Sequence, residues 1–169
     1  MGGHRDMHSE QGARTGEHRG RARNPVIKVR DIAWLEFEKP DLLSAEAFAQ
    51  AFGFSTALRH DDELQMRGAD AGAPCLIVRR GPRSRFVRTA FAAQDESDVV
   101  RLADATGTAA RPLPETIGGV SVDLVDPSGI PVRVVAGTHS VAALPSQRPQ
   151  VLNVGHDLVR ANAPQRPRR

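Results

Sequence analysis

The 169-residue chain is poor in cysteine and aromatics, with one Cys, one Trp, six Phe and no Tyr. A lone Cys75 excludes an intrachain disulfide and fits a reducing compartment. Its followers Leu76, Ile77 and Val78 mark it as a small buried residue. No apolar run approaches the roughly 20 residues that a membrane-spanning helix needs. The N-terminal stretch "MGGHRDMHSEQGARTGEHRGRARN" lacks the hydrophobic centre of a secretory signal, so a cytoplasmic location is expected. There is no Gly-rich phosphate loop and no Ser/His/Asp order in a suitable context, which leaves no nucleophile to name.

The formal charge is +3, and it is unevenly spread. Residues 1–24 carry five Arg against three acids, residues 147–169 carry five Arg against one, and residues 25–146 sum to −3. The basic character therefore belongs to the two ends. Nothing aromatic is interleaved with these arginines and no binding motif accompanies them, so solvated tails are expected and nucleic-acid binding is not. Residues 1–24 show no periodicity and read as disordered. His4 and His8 are spaced to share a helical face, but Gly, Ser and dense charge around them oppose both a helix and a metal site.

Order begins near Pro25. "DIAWLEFE" alternates as a strand, with Ala33, Leu35 and Phe37 on one face and Trp34, Glu36 and Glu38 on the other. A helix follows, capped by Asp41 and stopped by Gly53, whose apolar stripe is Leu43, Ala47, Phe48, Ala51 and Phe52. Three extended segments come next: "FSTALRH", "ELQMRG" and "APCLIVRR". The same order then recurs. "SRFVRTAFAAQ" alternates, "ESDVVRLADATG" is a helix with Val99, Val100, Ala103 and Thr106 on one face, and three further strands follow. Matching Trp34 to Arg88 sets the two halves 54 residues apart. Such an internal repeat predicts two supersecondary units that bury each other's apolar faces. The fold class is α+β. The predicted boundaries are a tail at 1–24, a domain at 25–140 with modules 29–81 and 84–137, and an extended tail at 141–169.

Two β-α-β-β-β modules, a "PDL" after the first strand and a "DPSG" turn before the last resemble the vicinal oxygen chelate superfamily of glyoxalases, bleomycin-resistance proteins and extradiol dioxygenases. The resemblance implies one cupped mixed sheet with its helices outside. In that family a cup of this kind holds a divalent metal. The resemblance places the metal ligands at Trp34, six residues before Pro40, at Arg88, three residues before Phe91, and at Arg133, in the strand after "DPSG". None can serve, because indole offers only an N–H and guanidinium stays protonated. Two unit charges 4 Å apart interact by about 4 kcal/mol at an effective dielectric near 20. A divalent ion beside two guanidiniums would meet several such repulsions with no ligand in return, so no metal is expected here.

Val132 and Val134 flank Arg133, and Thr89 and Phe91 follow Arg88, which sets both arginines on the face opposite the apolar one. Glu36, Glu38 and Asp123 are their expected partners. Two readings stand side by side: an ion-pair network filling an unused pocket, or a clamp for an anionic or catecholic ligand. Trp34 either fills the pocket or stacks on that ligand. The pocket candidates are thus Trp34, Glu36, Arg88, Asp123 and Arg133, with no catalytic and no metal-binding residue. His60, beside Asp61 and Asp62, reads as a turn residue, and His139 falls after the last strand.

The tail "RPQVLNVGHDLVRANAPQRPRR" is neither helix nor strand by pattern, with one short apolar element from Leu152 to Val159. It resembles the connector that leads into the catalytic copy of the fold in two-domain extradiol dioxygenases. The resemblance therefore implies a non-catalytic, metal-free domain equivalent to the N-terminal half of such an enzyme, with a structural or interface role. Iron(II) is implied only for a catalytic second domain; no cofactor is expected in this chain. The alternative is a freestanding bleomycin-resistance-like module binding an aromatic or anionic small molecule. Expected partners are a catalytic second domain or a second copy in a homodimer, with no nucleic acid and no membrane.

Overall fold

A computed structural model describes residues 25–145, together with the backbone of two short strands at Asn153–Val154 and Asp157–Leu158. The expectations for residues 1–24, for His4 and His8, and for most of the C-terminal tail fall outside the described residues.

The first module is β1 (Asp31–Lys39), α1 (Leu42–Ala51), β2 (Ser55–Arg59), β3 (Glu63–Arg67) and β4 (Leu76–Arg80). The second is β5 (Arg85–Ala92), α2 (Glu96–Thr106), β6 (Arg111–Pro112), β7 (Val120–Val125) and β8 (Pro131–Ala136). The internal repeat is visible in the helix ends. Asp41 and Asp95, 54 residues apart, are both N-caps, and each accepts backbone N–H bonds from the first turn it precedes. Gly107 closes α2 with φ +64°, a left-handed cap that L side chains resist.

All eight strands form one mixed sheet in the order β2-β3-β4-β1-β5-β8-β7-β6. In each module the first strand runs parallel to the last, β1 with β4 and β5 with β8. The modules join through β1 and β5, which pair antiparallel and bring Trp34 opposite Ala90 and Glu36 opposite Arg88. The two β-bulges in this pairing locally shift its register. The turn from β7 to β8 is built by Asp126, whose Oδ1 accepts from the N–H groups of Ser128 (2.8 Å) and Ile130 (2.9 Å). That turn sets Asp123 opposite Arg133.

Both helices cover the same face of the sheet. α1 packs Leu42 and Ala49 on Leu64, Met66 and Val78. α2 packs Val99, Leu102 and Ala103 on Val122, Val134 and Ala136. Each large side chain buried here contributes roughly 1.5–3 kcal/mol. On the opposite face, Trp34, Ile77, Ala90 and Val135 form a cluster closed over by Leu113 and Ile117 from the segment that follows α2. The expected α+β class is present, one mixed sheet with both helices on one side.

Both helical faces differ from expectation. Leu43, Ala47, Phe48, Ala51 and Phe52 do not form the buried stripe of α1; all five are exposed, while Leu42, Ala45 and Ala49 meet the sheet. The small Ala45 and Ala49 let the helix approach the strands closely, which the phenylalanines would prevent. On α2, Val100 and Thr106 are exposed and Leu102 takes the inner position. Cys75 is half-buried rather than buried, with Sγ 3.7 Å from the Met66 carbonyl.

Residues 141–145, expected to begin the tail, return to the β3–β4 loop. Val141 bridges Gly72, the Leu144 N–H donates to the Ala69 carbonyl, and Arg67 donates to the Ala142 carbonyl. Within the predicted apolar element of the tail, Asn153–Val154 pairs antiparallel with Asp157–Leu158.

Candidate functional site

Four adjacent strands each supply one charged side chain to the face opposite the helices: Glu36 from β1, Arg88 from β5, Arg133 from β8 and Asp123 from β7. The register places them in two neighbouring rows, Glu36 opposite Arg88 in one and Arg133 opposite both Ala90 and Asp123 in the other. Arg133 forks onto Asp123, with Nε to Oδ1 at 2.6 Å and Nη2 to Oδ2 at 2.9 Å. Its remaining Nη1 reaches across β5 to Glu36 Oε1 at 3.3 Å. Arg88 bridges the other way, with Nη1 3.0 Å from Asp123 Oδ1. Arg88 Nε is buried and lies 3.2 Å from Glu36 Oε2, out of line for a hydrogen bond, so that contact is ionic. Glu36 completes the network by accepting from Trp34 Nε1 at 2.9 Å.

The five residues singled out from the sequence, Trp34, Glu36, Arg88, Asp123 and Arg133, therefore meet in one connected network. Glu36 is its only charged member from the first module, so the network straddles the β1–β5 junction. Glu38, the other expected partner, is not in it. It pairs instead with Arg85, Oε2 accepting from Nε at 2.7 Å, because the bulge between Glu36 and Phe37 resets the register beyond that point. Gln65 and Ser121 are also buried polar residues, and nothing in the sequence pattern distinguished them.

The electrostatics are self-contained, since two carboxylates face two guanidiniums. The Arg133 fork holds the Asp123 carboxyl below the usual carboxylate range, with Arg88 acting in the same sense. Reciprocally, Asp123 and then Glu36 favour the charged form of Arg133. Trp34 is 0% exposed and its N–H is committed to Glu36, so in this conformation it belongs to the core and offers no face for stacking.

As a donor set for a divalent metal, the network does not fit. The oxygens of Glu36 and Asp123 are directed at guanidinium or indole donors, and neither arginine can coordinate a cation. Among the described residues no three His, Cys, Asp or Glu side chains converge. His60 sits between β2 and β3, where its N–H donates to the Glu63 carbonyl, and His139 follows β8. A large hollow lies elsewhere, on the helix side of the sheet. It is an apolar groove of about 910 Å³ between α1 and strands β1 and β4, walled by Leu35, Phe37, Phe48, Phe52 and Leu76.

No protein-family model matches the chain, and no curated protein matches it. Solved structures do. A Mn(II)-bound glyoxalase from Novosphingobium aromaticivorans superposes with a TM-score of 0.63 at 22% identity, over 72% of this chain and 44% of that one. A variant of homoprotocatechuate 2,3-dioxygenase from Brevibacterium fuscum superposes with a TM-score of 0.65 at 19% identity, over 71% of this chain and 36% of that one. An extradiol ring-cleaving dioxygenase from B. fuscum gives a TM-score of 0.59 at 19% identity, over 69% and 35%. The chain thus spans less than half the length of each of these proteins. No helix of the described residues is long and apolar enough to cross a membrane. The fold, two paired β-α-β-β-β modules in one mixed sheet with both helices on one side, is shared with these glyoxalase and extradiol dioxygenase structures.

Proposed function

We propose that this chain is a non-catalytic, metal-free domain equivalent to the N-terminal half of an extradiol ring-cleavage dioxygenase, with a structural or interface role. One observation carries the reading. The three positions that the family resemblance assigns to metal ligands hold Trp34, Arg88 and Arg133, and Glu36 and Asp123 bind all three into a neutral network. Side chains engaged in this way strap the two modules together and leave no donor for iron. The chemistry of aromatic-ring cleavage, and the iron(II) it requires, would then belong to a separate catalytic domain in the cytoplasm. The alternative, a freestanding module that clamps an aromatic or anionic ligand, finds less support. Its expected stacking surface, Trp34, is enclosed, and an anion would have to displace Asp123 from its fork on Arg133.

The test is to add iron(II) anaerobically to the full chain, measure bound metal, then add catechols and oxygen and follow oxygen uptake. Trp34 fluorescence is recorded in parallel across a panel of catechols and acidic aromatics. Expected are no stoichiometric iron, no uptake above the protein-free control and an unchanged emission. Bound iron with oxygen consumption would overturn the reading, and saturable quenching would favour the binding module.

A further inference from the structure

We infer that residues 151–159 dock into the apolar groove beside α1 and close the helix side of the first module. The internal repeat supplies the control. In the second module, Ile27 from the segment before β1 packs against the α2 cluster of Val99, Leu102 and Val134. Arg101 holds that segment in place, Nε donating to the Val26 carbonyl at 2.9 Å. Among the described residues the first module has no such plug. The residue 54 positions after Ile27 is Gly81, which has no side chain. What remains is the groove of about 910 Å³ between α1, β1 and β4, with Phe48 and Phe52 exposed at 68 and 65% on its rim. The outer side of α2, by contrast, carries Glu96, Ser97, Arg101 and Asp104. An open apolar patch of this kind marks a surface that another segment covers.

Place, length and composition select residues 151–159. Residues 141–144 are hydrogen-bonded to Gly72, Ala69 and Arg67, at or beside the β3–β4 loop. That loop ends at Cys75, which with Leu76 and Ala33 lines one end of the groove. The chain therefore leaves Pro145 at the same end of the sheet as that end of the groove. Six positions separate Pro145 from Val151, a reach of up to about 20 Å. The groove follows β1 from Ala33 to Lys39, also about 20 Å. The segment supplies Val151, Leu152, Val154, Leu158 and Val159. Its strands Asn153–Val154 and Asp157–Leu158 pair, among the described residues, only with each other. A two-stranded hairpin is marginal in water until an apolar surface supports it. The groove is that surface. Residues 1–24 offer no rival, since their apolar side chains are two Met and two Ala. Charge agrees, because residues 25–146 sum to −3 and residues 147–169 to +4. A segment held in this way fixes the departure point of residues 160–169, as a connector to a further domain requires. The docking itself does not depend on the function proposed above, and its test uses neither iron nor oxygen, so either can fail alone.

Amide hydrogen exchange of the full chain, read by mass spectrometry at about 1 and about 100 μM, is the test. Residues 151–159 should exchange at least about 10-fold more slowly than an unstructured peptide, equally at both concentrations. Phe48→Glu and Phe52→Glu should each return that segment to within about 3-fold of the unstructured rate. The double variant Leu152→Asp, Leu158→Asp should speed exchange across residues 43–52 of α1. In every variant, residues 96–106 of α2 should keep their wild-type rates, which shows that the domain stays folded. Unstructured rates for residues 151–159 in the wild-type chain would overturn the inference. Protection that appears only at the higher concentration would give the groove to a second copy and overturn it as well. Protection that survives Phe48→Glu and Phe52→Glu would place the segment elsewhere, and unchanged α1 exchange in the leucine double variant would have the same consequence.

Discussion

Replacing Glu36 by Gln probes the network at the one charged residue that crosses the module junction. Glu36 is 2% exposed, 3.3 Å from Arg133 and 3.2 Å from Arg88. At an effective dielectric near 20, a unit charge pair at such a distance is worth about 5 kcal/mol before desolvation is counted. Desolvation of buried ions returns several kcal/mol, and removing one partner of such a group typically costs about 3–5 kcal/mol. The Gln carbonyl keeps the bond from Trp34, so the lower end, about 3 kcal/mol, is expected. For a chain of this size, roughly 2–4 °C accompanies each kcal/mol, which gives a fall in Tm of about 6–12 °C. Calorimetry or thermal circular dichroism reads it. Glu38→Gln is the control. Its partner Arg85 is 51% exposed, and such surface pairs contribute under about 1 kcal/mol. Adding Arg133→Met to Glu36→Gln should cost less than the sum of the single changes, because the two share one network. A Glu36→Gln protein that melts within about 2 °C of wild type would refute the network as a junction strap.

The fork on Asp123 predicts a pH dependence with a definite sign. Its carboxyl is held below its unfolded value by Arg133, so its stabilisation is present above the unfolded value and is lost as pH falls through the folded one. Asp123→Asn should therefore be less stable than wild type at pH 7, and the two should converge as the pH is lowered in acid-unfolding curves; a difference independent of pH would contradict the assignment. Gly107→Ala should cost about 1 kcal/mol by denaturant titration, because the residue sits at φ +64° while nothing lies within 4 Å of the added Cβ. A neutral result there would show that the α2 terminus rearranges.

Much of the site was legible because β-strands have a strict period of two. Once "DIAWLEFE" and "PVRVV" are strands, Trp34 and Glu36 share a face, and Arg133 lies on the side opposite Val132 and Val134. Asp123 was legible from the Asp126 turn, which sets how many residues separate it from Arg133. The bulges were not legible. They depend on how two distant strands accommodate each other, and one of them carries Glu38 away from the network to Arg85. The α1 stripe failed for a different reason. With Leu42, Leu43, Ala45, Ala47, Phe48, Ala49, Ala51 and Phe52 in one short segment, periodicity admits two apolar faces. Burial was decided by which face had residues small enough to seat against β3 and β4.

Local chemistry was thus settled along the chain itself: the caps at Asp41 and Asp95, the turn at Asp126 to Gly129, the alternation of the strands, and the repeat that makes two modules of one pattern. Each depends on residues within a few positions of one another. The tertiary structure alone decided how the modules meet. Pairing β1 with β5 drew Glu36 to Arg88 and Arg133 and enclosed Trp34 beneath Leu113 and Ile117, while seating Ala45 and Ala49 against β3 and β4 left Phe48 and Phe52 exposed. Those outcomes depend on distances between segments far apart in sequence, which only the packed sheet defines.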